Sequence, residues 1–203
     1  LNIVNNGICV NDKGERFTDE GQTYVQMSRD VAAMTKANWA YMIVDQAGHD
    51  VPILANDWES YKRTKAPVYV GQTLDEAAEK AGLPVDAVKA TVKAYNEAIA
   101  AGKGKTLTPV NTLPKARTVE KAPFYIVPFQ GGMTATFGGP LINVKGQVLD
   151  TENHVIDGLF AIGNAAGGLF YDNYIGGAQL TSAAVYGIVV ADFVKAAKTP
   201  AGK

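Results

Sequence analysis

The chain contains one cysteine, Cys9, and two histidines, His49 and His154, in 203 residues. A single cysteine cannot form a disulfide within the chain, and so few thiol and imidazole groups predict no metal site. The 19 Lys and Arg side chains are matched by 20 Asp and Glu, so neither sign of charge is in excess. This balance predicts neither a nucleic-acid partner nor attraction to an anionic membrane.

Long apolar runs and targeting signals are also missing. No segment approaches the roughly 20 consecutive apolar residues of a membrane span, so we predict none. The chain starts with LNIVNNGICV, which has neither an initiator methionine nor a signal-peptide pattern and reads as the inside of a strand. We therefore expect a piece of a longer protein, cytoplasmic rather than exported.

The pattern of apolar residues predicts an α+β chain in two parts. The first, of about 120 residues, is rich in helices; Thr73 and Glu76 form a predicted capping box, and Gly82 ends that helix. The second has short strands and is closed by one apolar helix from about Gly177 to Lys198. A polar loop between them predicts a boundary at residue 122. Helices are expected within 22–37, 56–63, 73–82 and 84–102, and strands at 39–45, 67–70, 123–129, 132–137, 140–144, 147–150 and 158–163.

A glycine-rich aromatic loop precedes the last helix. The segment GLFYDNYIGG, residues 168–177, places three aromatic side chains between glycines. Glycines let a backbone approach a ligand closely, and a helix N-terminus offers unpaired N–H groups and a partial positive charge. The succession predicts a ligand site, although the same glycines are also typical of ordinary turns.

Three segments, in fixed order, resemble flavoproteins of the fumarate reductase and 3-ketosteroid dehydrogenase superfamily, which has tricarballylate dehydrogenase-like members. NDKGERFTDEG resembles the segment that opens their mobile cap domain, and TATFGGPLINVKGQVLDTENHVIDGLFAIGNAAGG resembles the return into the flavin domain. NYIGGAQLTSAAVYG resembles the final loop and helix, whose N-terminus faces the flavin ring. The resemblance implies an FAD-dependent oxidoreductase.

The resemblance also implies a division of the chain. Residues 1–15 would end a flavin-domain segment, 16–122 would form the substrate cap of helices on a small sheet, and 123–203 would form the C-terminal part of the FAD-binding α/β domain. The superfamily binds the adenine and pyrophosphate through a strand–G-x-G-x-x-G–helix unit, and this sequence has no such motif. The N-terminal dinucleotide-binding half is expected to be absent, and the chain alone to hold FAD poorly and to be inactive.

The resemblance assigns binding residues to the loop and the last helix. Gly176 and Gly177 would let the backbone reach the flavin ring, where the following amides stabilise its reduced form. Asn164 would reach the ribityl chain. The implied sets are Gly163, Asn164, Gly176, Gly177, Ala178, Gln179 and Leu180 for the cofactor, and Thr136, Phe137, Gly138 and Tyr171 for the substrate.

Three residues are candidates for catalysis. Tyr174 stands where 3-ketosteroid dehydrogenases have a tyrosine that polarises the substrate ketone, and a neutral phenol suits a developing enolate. His49 follows Asp45 at the spacing of the proton-donating cap arginine of fumarate reductases, and Arg63 would be a displaced acid. The ordinary alternatives are packing for Tyr171 and Tyr174, a solvated turn for His49, and a surface charge for Arg63.

The polar residues of the fumarate reductases do not carry over. Ala135 stands in place of a histidine, Tyr174 in place of an arginine in the last loop, and His49 in place of the cap arginine. Fumarate is therefore disfavoured as the substrate.

The hypothesis from the sequence is hydride transfer between flavin and an activated C–C bond, alpha,beta to a carbonyl or carboxylate, in either direction. The alternative is a non-catalytic binding or interaction module that keeps the cap-like fold without flavin. Arg16, Asp19 and Glu20 would lie at the cap hinge and position it, or form a salt-bridged turn.

Overall fold

The computed structural model describes residues 4–132 and 136–198. The chain divides into two compact units, Leu1–Gly132 and Met133–Lys203, called here the N-terminal unit and the C-terminal unit. Both contain helices and antiparallel strands, which confirms the predicted α+β class. The units divide after Gly132 and not at residue 122, because the strand after the polar loop pairs within the N-terminal unit. The extent of the flavin domain stays a prediction.

A four-stranded sheet lies at the centre of the N-terminal unit. Its strands are β1 (Ile8–Val10), β2 (Trp39–Asp45), β3 (Tyr69–Gly71) and β4 (Phe124–Gln130), in the order β1-β2-β4-β3. All neighbours are antiparallel. β2 pairs along its whole length with β4, from Trp39 opposite Gln130 to Asp45 opposite Phe124.

Five α-helices in the described part of this unit flank the sheet. They are α1 (Tyr24–Met34), α2 (Gln46–His49), α3 (Ala55–Thr64), α4 (Leu74–Ala81) and α5 (Val85–Ala100). The predicted ends of α4 are confirmed: the Thr73 hydroxyl accepts a hydrogen bond from the Glu76 N–H at 3.1 Å, and Gly82 ends the helix at φ 70°. The segment QAGH, expected to be a turn, forms the single helical turn α2.

Both faces of the sheet are buried. Successive strand residues point to opposite faces, so adjacent apolar residues serve two separate cores. One core joins the sheet to α1 and α3 through Cys9, Met42, Val127, Val31 and Trp58. The other joins it to α4 and α5 through Ile8, Ile43, Ile126, Ala77 and Val92. Helices on both faces explain why β2 reads as a continuous apolar run.

Asp45 connects the end of β2 to the polar loop that leads into β4. Its buried carboxylate accepts from the Gly48 N–H at 2.8 Å, which caps α2. The other carboxylate oxygen accepts from the N–H groups of Glu120 and Lys121 at 3.0 and 2.9 Å. The aspartate that guided the alignment of His49 therefore has a structural role.

Replacing Asp45 with alanine should lower the free energy of unfolding by about 1–2 kcal/mol, since a cap is lost and buried N–H groups lose their acceptor. Urea denaturation followed by circular dichroism measures the change. Asp86→Ala, which removes an exposed carboxylate from the first turn of α5, should stay within about 0.5 kcal/mol of the parent. Equal effects in the two variants would contradict the structural role.

A buried ion pair closes the segment that follows β1. The Arg16 guanidinium donates to both carboxylate oxygens of Glu20, from Nε to Oε1 at 2.9 Å and from Nη2 to Oε2 at 2.6 Å. The two side chains are 5% and 0% exposed. Arg16 Nη1 also donates to the carbonyl of Pro109 at 2.6 Å. The pair therefore fastens residues far apart in the sequence.

The Glu20 carboxylate accepts two further hydrogen bonds. The Cys9 N–H of β1 donates to Oε1 at 3.1 Å, and Asn111 Nδ2 donates to Oε2 at 2.9 Å. The Arg16 guanidinium lies over the ring of Tyr95, 5.4 Å from its centroid. Burial first, and then the charge of Glu20, raise the pKa of the Tyr95 hydroxyl, so it stays a neutral donor or acceptor. The salt-bridged alternative for this segment is therefore present, and the ion pair lies in the core.

The C-terminal unit has a smaller core. It contains β5 (Gln147–Leu149), β6 (Val155–Phe160) and α6 (Ala178–Lys198), with β5 and β6 paired antiparallel. Val148, Ala161 and Ala166 are its buried apolar residues, with Ile142 packed against them. The final helix starts one residue after its predicted start.

The predicted strands of this unit are only partly present. Of residues 140–144, only Ile142 pairs, in a single bridge to Val148. Strand β6 starts at Val155, earlier than the apolar residues 158–163 that were predicted to form a strand. The pairing to β5 fixes these limits, and the segment from Ala161 turns away at the 3₁₀ turn Gly163–Ala165. Half of the predicted strand 132–137, residues 133–135, lies outside the described residues, and Gly132, Thr136 and Phe137 are not in a strand.

Much of α6 is exposed, including the apolar side chains Leu180, Val185 and Ile188. Asp192 and Lys195 interrupt its run, which is why the sequence analysis identified no span. By length and composition alone, Ala178–Ala197 is apolar enough to cross a membrane. Core helices of soluble proteins have the same properties, so the absence of a span stays a prediction.

Candidate functional site

The loop before α6 presents backbone to open space. A Cβ built on Gly176 or on Gly177 would meet no atom within 4 Å, and Gly177 adopts φ 84°, a conformation that favours glycine. The Thr181 N–H donates to the Gly177 carbonyl at 3.0 Å, which starts the helix. The N–H groups of Gln179 and Leu180 lie in the first turn, where no helical carbonyl precedes them as an acceptor.

Ala178 differs from its neighbours in this turn. Its N–H donates to the carbonyl of Ile175 at 3.1 Å, so this amide already has a partner within the loop. The predicted amide donors are therefore not equivalent, and those of Gln179 and Leu180 are the ones that the helix itself leaves unpaired.

The side chain of Gln179 is buried without a hydrogen-bond partner. It is 6% exposed, and neither Nε2 nor Oε1 bonds to any described residue. Leaving a buried amide unsatisfied costs about 1–3 kcal/mol, so such a group usually marks a missing partner. From the sequence, only the backbone of Gln179 was predicted to bind, because no pattern distinguishes a buried glutamine from an exposed one.

The loop at residues 163–168 is held against the return segment by glycines. A Cβ on Gly167 would lie 2.4 Å from the Gly139 carbonyl oxygen, and one on Gly139 would lie 2.5 Å from that of Ala165. Only glycines permit two backbones to pass this closely. The Thr136 hydroxyl donates to the Asn164 carbonyl, so these two predicted site residues lie together. The Asn164 side chain is exposed.

Aromatic side chains line up beside this loop. The Phe137 and Phe170 rings have centroids 5.4 Å apart, and Phe170 and Tyr174 have centroids 5.1 Å apart. The structure thus joins the predicted residues Phe137 and Tyr174 through Phe170, which the sequence analysis did not single out. Tyr171 is 99% exposed and makes none of these ring contacts, and its proposed role stays a prediction.

His49 and Arg63 belong to the N-terminal unit. The His49 ring stacks on Trp58 and on Tyr125, with centroids 4.6 and 4.4 Å away, so it is not merely a solvated turn residue. Its Nδ1 lies 3.0 Å from Asp50 Oδ1. Hydrogen bonds from Gln46 first, and then from His49, lower the pKa of Asp50. Arg63 is exposed near the end of α3.

The other candidate positions show little evidence of a functional role. Ala135 lies outside the described residues. His154 is exposed in a turn, within 3.7 Å of Asp150 and 3.6 Å of Glu152. Across residues 4–132 and 136–198, no group of three His, Cys, Asp or Glu side chains could hold a metal ion.

Comparison with known proteins gives the following similarities. A family described as "FAD binding domain" matches residues 5–180. The NADH:acrylate oxidoreductase of Vibrio harveyi is 32% identical over 191 residues, which cover 92% of this chain and 18% of that protein. The probable fumarate reductase Ifc3 of Shewanella frigidimarina is 29% identical over 189 residues, covering 91% and 30%. The urocanate reductase of Eggerthella lenta is 28% identical over 193 residues, covering 93% and 31%.

Solved structures show the same arrangement of elements. The open conformation of a flavocytochrome c3 fumarate reductase matches with a TM-score of 0.75 at 28% identity, over 95% of this chain and 33% of that one. The 3-ketosteroid Δ1-dehydrogenase of Sterolibacterium denitrificans matches with a TM-score of 0.73 at 24% identity, over 98% and 40%, which supports the fold alone. The chain spans about a fifth to a third of the length of the curated relatives named above.

Proposed function

The chain belongs to the FAD binding domain family, and we propose that it supplies the substrate cap and the C-terminal flavin-contacting segment of an oxidoreductase acting on an activated C–C bond. The observation that carries this proposal is the first turn of α6, where unpaired amides, two unobstructed glycines and the partnerless side chain of Gln179 come together. These donors suit the polar edge of a flavin ring.

FAD, when bound, supplies hydride transfer. In this proposal Gly163 and Asn164 hold the ribityl side of the cofactor, and the segment 176–180 holds the ring through backbone N–H groups. The positive end of the α6 dipole favours negative charge at that place, which stabilises the reduced form. The Gln179 side chain would gain its missing partner by turning toward the same group.

Tyr174 is the proposed polarising or protonating group. Phe170 supports its ring at 5.1 Å, and a phenol can donate a proton or a hydrogen bond to a carbonyl oxygen of the substrate. Thr136, Phe137, Gly138 and Tyr171 would line the substrate beside it. The cap, proposed as residues 16–122, would exclude water, with His49 or Arg63 as further proton donors.

The proposed substrate is a small unsaturated carbonyl or carboxylate compound. The names of the relatives give acrylate, fumarate and urocanate, all unsaturated carboxylates, as what those proteins act on. This supports reduction of a C=C bond as one direction of the reaction. The changes at Ala135, Tyr174 and His49 argue against fumarate as the substrate of this chain.

Flavin titration tests the proposal. We expect no perturbed flavin absorbance when FAD is added to the 203-residue chain, because it lacks a dinucleotide-binding motif. We expect clear perturbation when the chain is preceded by a strand–G-x-G-x-x-G–helix segment from the same reading frame. A reading frame without such a segment, together with no flavin binding, would support the non-catalytic module. FAD binding by the 203-residue chain alone would contradict the expectation that this chain holds FAD poorly.

A further inference from the structure

The N-terminal unit contains an aromatic cavity that shares only His49 with the proposed flavin chemistry. It has a volume of about 320 Å³ and lies between α3, β3 and β4. We call it the aromatic slot. Its lining consists of four rings, three aliphatic side chains and two lysines: His49, Trp58, Tyr61, Tyr125, Ala66, Val68, Val70, Lys62 and Lys65. Ligand sites of about 300 Å³ and above are mostly apolar with a few polar groups, as here.

The rings of the slot are fixed in place. His49, Trp58 and Tyr125 contact one another, with centroids 4.4–5.8 Å apart. Trp58 Nε1 donates to the His49 carbonyl at 3.0 Å, and the Tyr125 hydroxyl donates to Gln46 Oε1 at 2.7 Å. His49 covers one face of Trp58 and one face of Tyr125, and Trp58 is only 7% exposed, so the half-buried Tyr125 offers the main apolar face to an occupant, at little cost in side-chain entropy.

The charges at the slot favour an anion. Lys62 and Lys65 are the charged lining residues. No carboxylate lines the cavity itself; Asp50 contacts His49 from outside the lining, and the charge of Asp57 acts on Tyr61. Lys62 pairs with Glu59 at 2.8 Å, but both side chains are more than 70% exposed, so that pair is weak. An aromatic cage can also bind a cation through its ring faces, worth about 0.5–2 kcal/mol. Two lysines at the same site oppose a cation and attract an anion.

His49 adds a polar edge. Its Nδ1 is engaged by Asp50 at 3.0 Å, whereas Nε2 makes no hydrogen bond to any residue that the structure describes. Because the Asp50 carboxylate only accepts, Nδ1 carries the proton and Nε2 of the neutral ring can accept a hydrogen bond from a donor group of an occupant.

We propose that the aromatic slot binds an aromatic carboxylate. The ring packs against Tyr125 beside Trp58, and the carboxylate meets Lys62 or Lys65. A cavity of this size holds one aromatic ring with a short acid chain. The occupant has two sources of the same chemistry, a substrate of the flavoprotein or a separate effector. All lining residues lie in the N-terminal unit, so binding does not depend on the proposed flavin function.

Fluorescence of Trp58 in the 203-residue chain tests the proposal, with Trp39→Phe removing the other tryptophan. Titration with 3-phenylpropanoate should give saturable quenching with a Kd below about 1 mM. The neutral 3-phenylpropanol should bind at least about tenfold more weakly, and the cation phenyltrimethylammonium more weakly still. Absence of saturation, or equal binding of the three probes, would overturn the proposal.

Lysine variants locate the carboxylate. The double change Lys62→Met with Lys65→Met should weaken 3-phenylpropanoate binding about tenfold, whereas Lys36→Met, an exposed lysine outside the slot, should leave it unchanged. Tyr125→Leu should also weaken binding, with circular dichroism showing that the variant is folded. Equal affinity in the lysine double variant and the parent would rule out the assigned carboxylate position and the proposal with it.

A second experiment distinguishes a substrate of the flavoprotein from a separate effector. The FAD-loaded longer protein is supplied with a reductant and trans-3-phenylpropenoate, and the absorbance of the conjugated double bond is followed. Its loss assigns the slot to substrate binding, and its persistence with undiminished Trp58 quenching assigns the slot to an effector. Both support the site, and failure of flavin loading leaves the quenching result intact.

Discussion

Replacing Arg16 with methionine is expected to lower the free energy of unfolding by about 3–5 kcal/mol, which is the cost of leaving one buried charge without its partner. Glu20 is fully buried, and two of the four hydrogen bonds that its carboxylate accepts from described residues come from Arg16. Methionine keeps the apolar volume of the arginine stem but removes the charge. Urea denaturation, followed by the tryptophan fluorescence of the N-terminal unit, measures this loss of stability.

Two controls separate charge from packing. Adding Glu20→Met to Arg16→Met should recover much of the loss, because replacing both members of a buried pair by apolar groups is often neutral. Lys62→Met, which breaks an exposed pair with Glu59 at a similar distance, should cost less than about 1 kcal/mol. A single variant that loses no more than Lys62→Met would show that the pair is dispensable.

Replacing Gln179 with leucine is expected to have opposite effects on stability and on cofactor binding. The free chain should gain about 1–3 kcal/mol, since an unsatisfied buried amide is replaced by an apolar side chain of similar size. The FAD affinity of the longer protein should fall about 10- to 100-fold, because a charge-assisted or neutral hydrogen bond to the cofactor is lost.

Thermal unfolding of the chain and flavin titration of the longer protein measure these two effects. Ala191→Leu adds an apolar group to an exposed position of the same helix and should change stability by less than about 0.5 kcal/mol. Loss of stability in Gln179→Leu would mean that the amide has a structural partner. Unchanged flavin affinity would remove the side chain from the proposed site.

Local patterns predicted the elements whose limits depend on nearby residues. The limits of α4 follow from Thr73, Glu76 and Gly82, which act within one or two turns. The strand 39–45 follows from its apolar run, because the sheet is covered on both faces. Membership of a sheet depends on distant pairing instead, and this is why β4 was predicted outside the N-terminal unit.

In the candidate site, too, some features were predicted from the sequence and others were not. The glycines at 176 and 177 and the start of α6 were predicted, since open backbone and a helix start have local signatures. The ion pair of Arg16 and Glu20 reaches Pro109, 93 residues away in the sequence, and no local pattern indicates that contact. The aromatic slot gathers His49, Trp58 and Tyr125 from two helices and a strand, which also requires the fold.

The order of strands in the four-stranded sheet affects how the N-terminal unit could be transferred from one protein to another. β1 and β4 run in the same direction on either side of β2, with Ile8 and Ile126 both level with Ile43. Gln130 lies four residues further on, so the start of β1 and the end of β4 are about 16 Å apart. About eight Gly/Ser residues have that mean span. One excision, or one insertion into a host loop, would therefore transfer residues 8–130 between proteins without dividing the sheet.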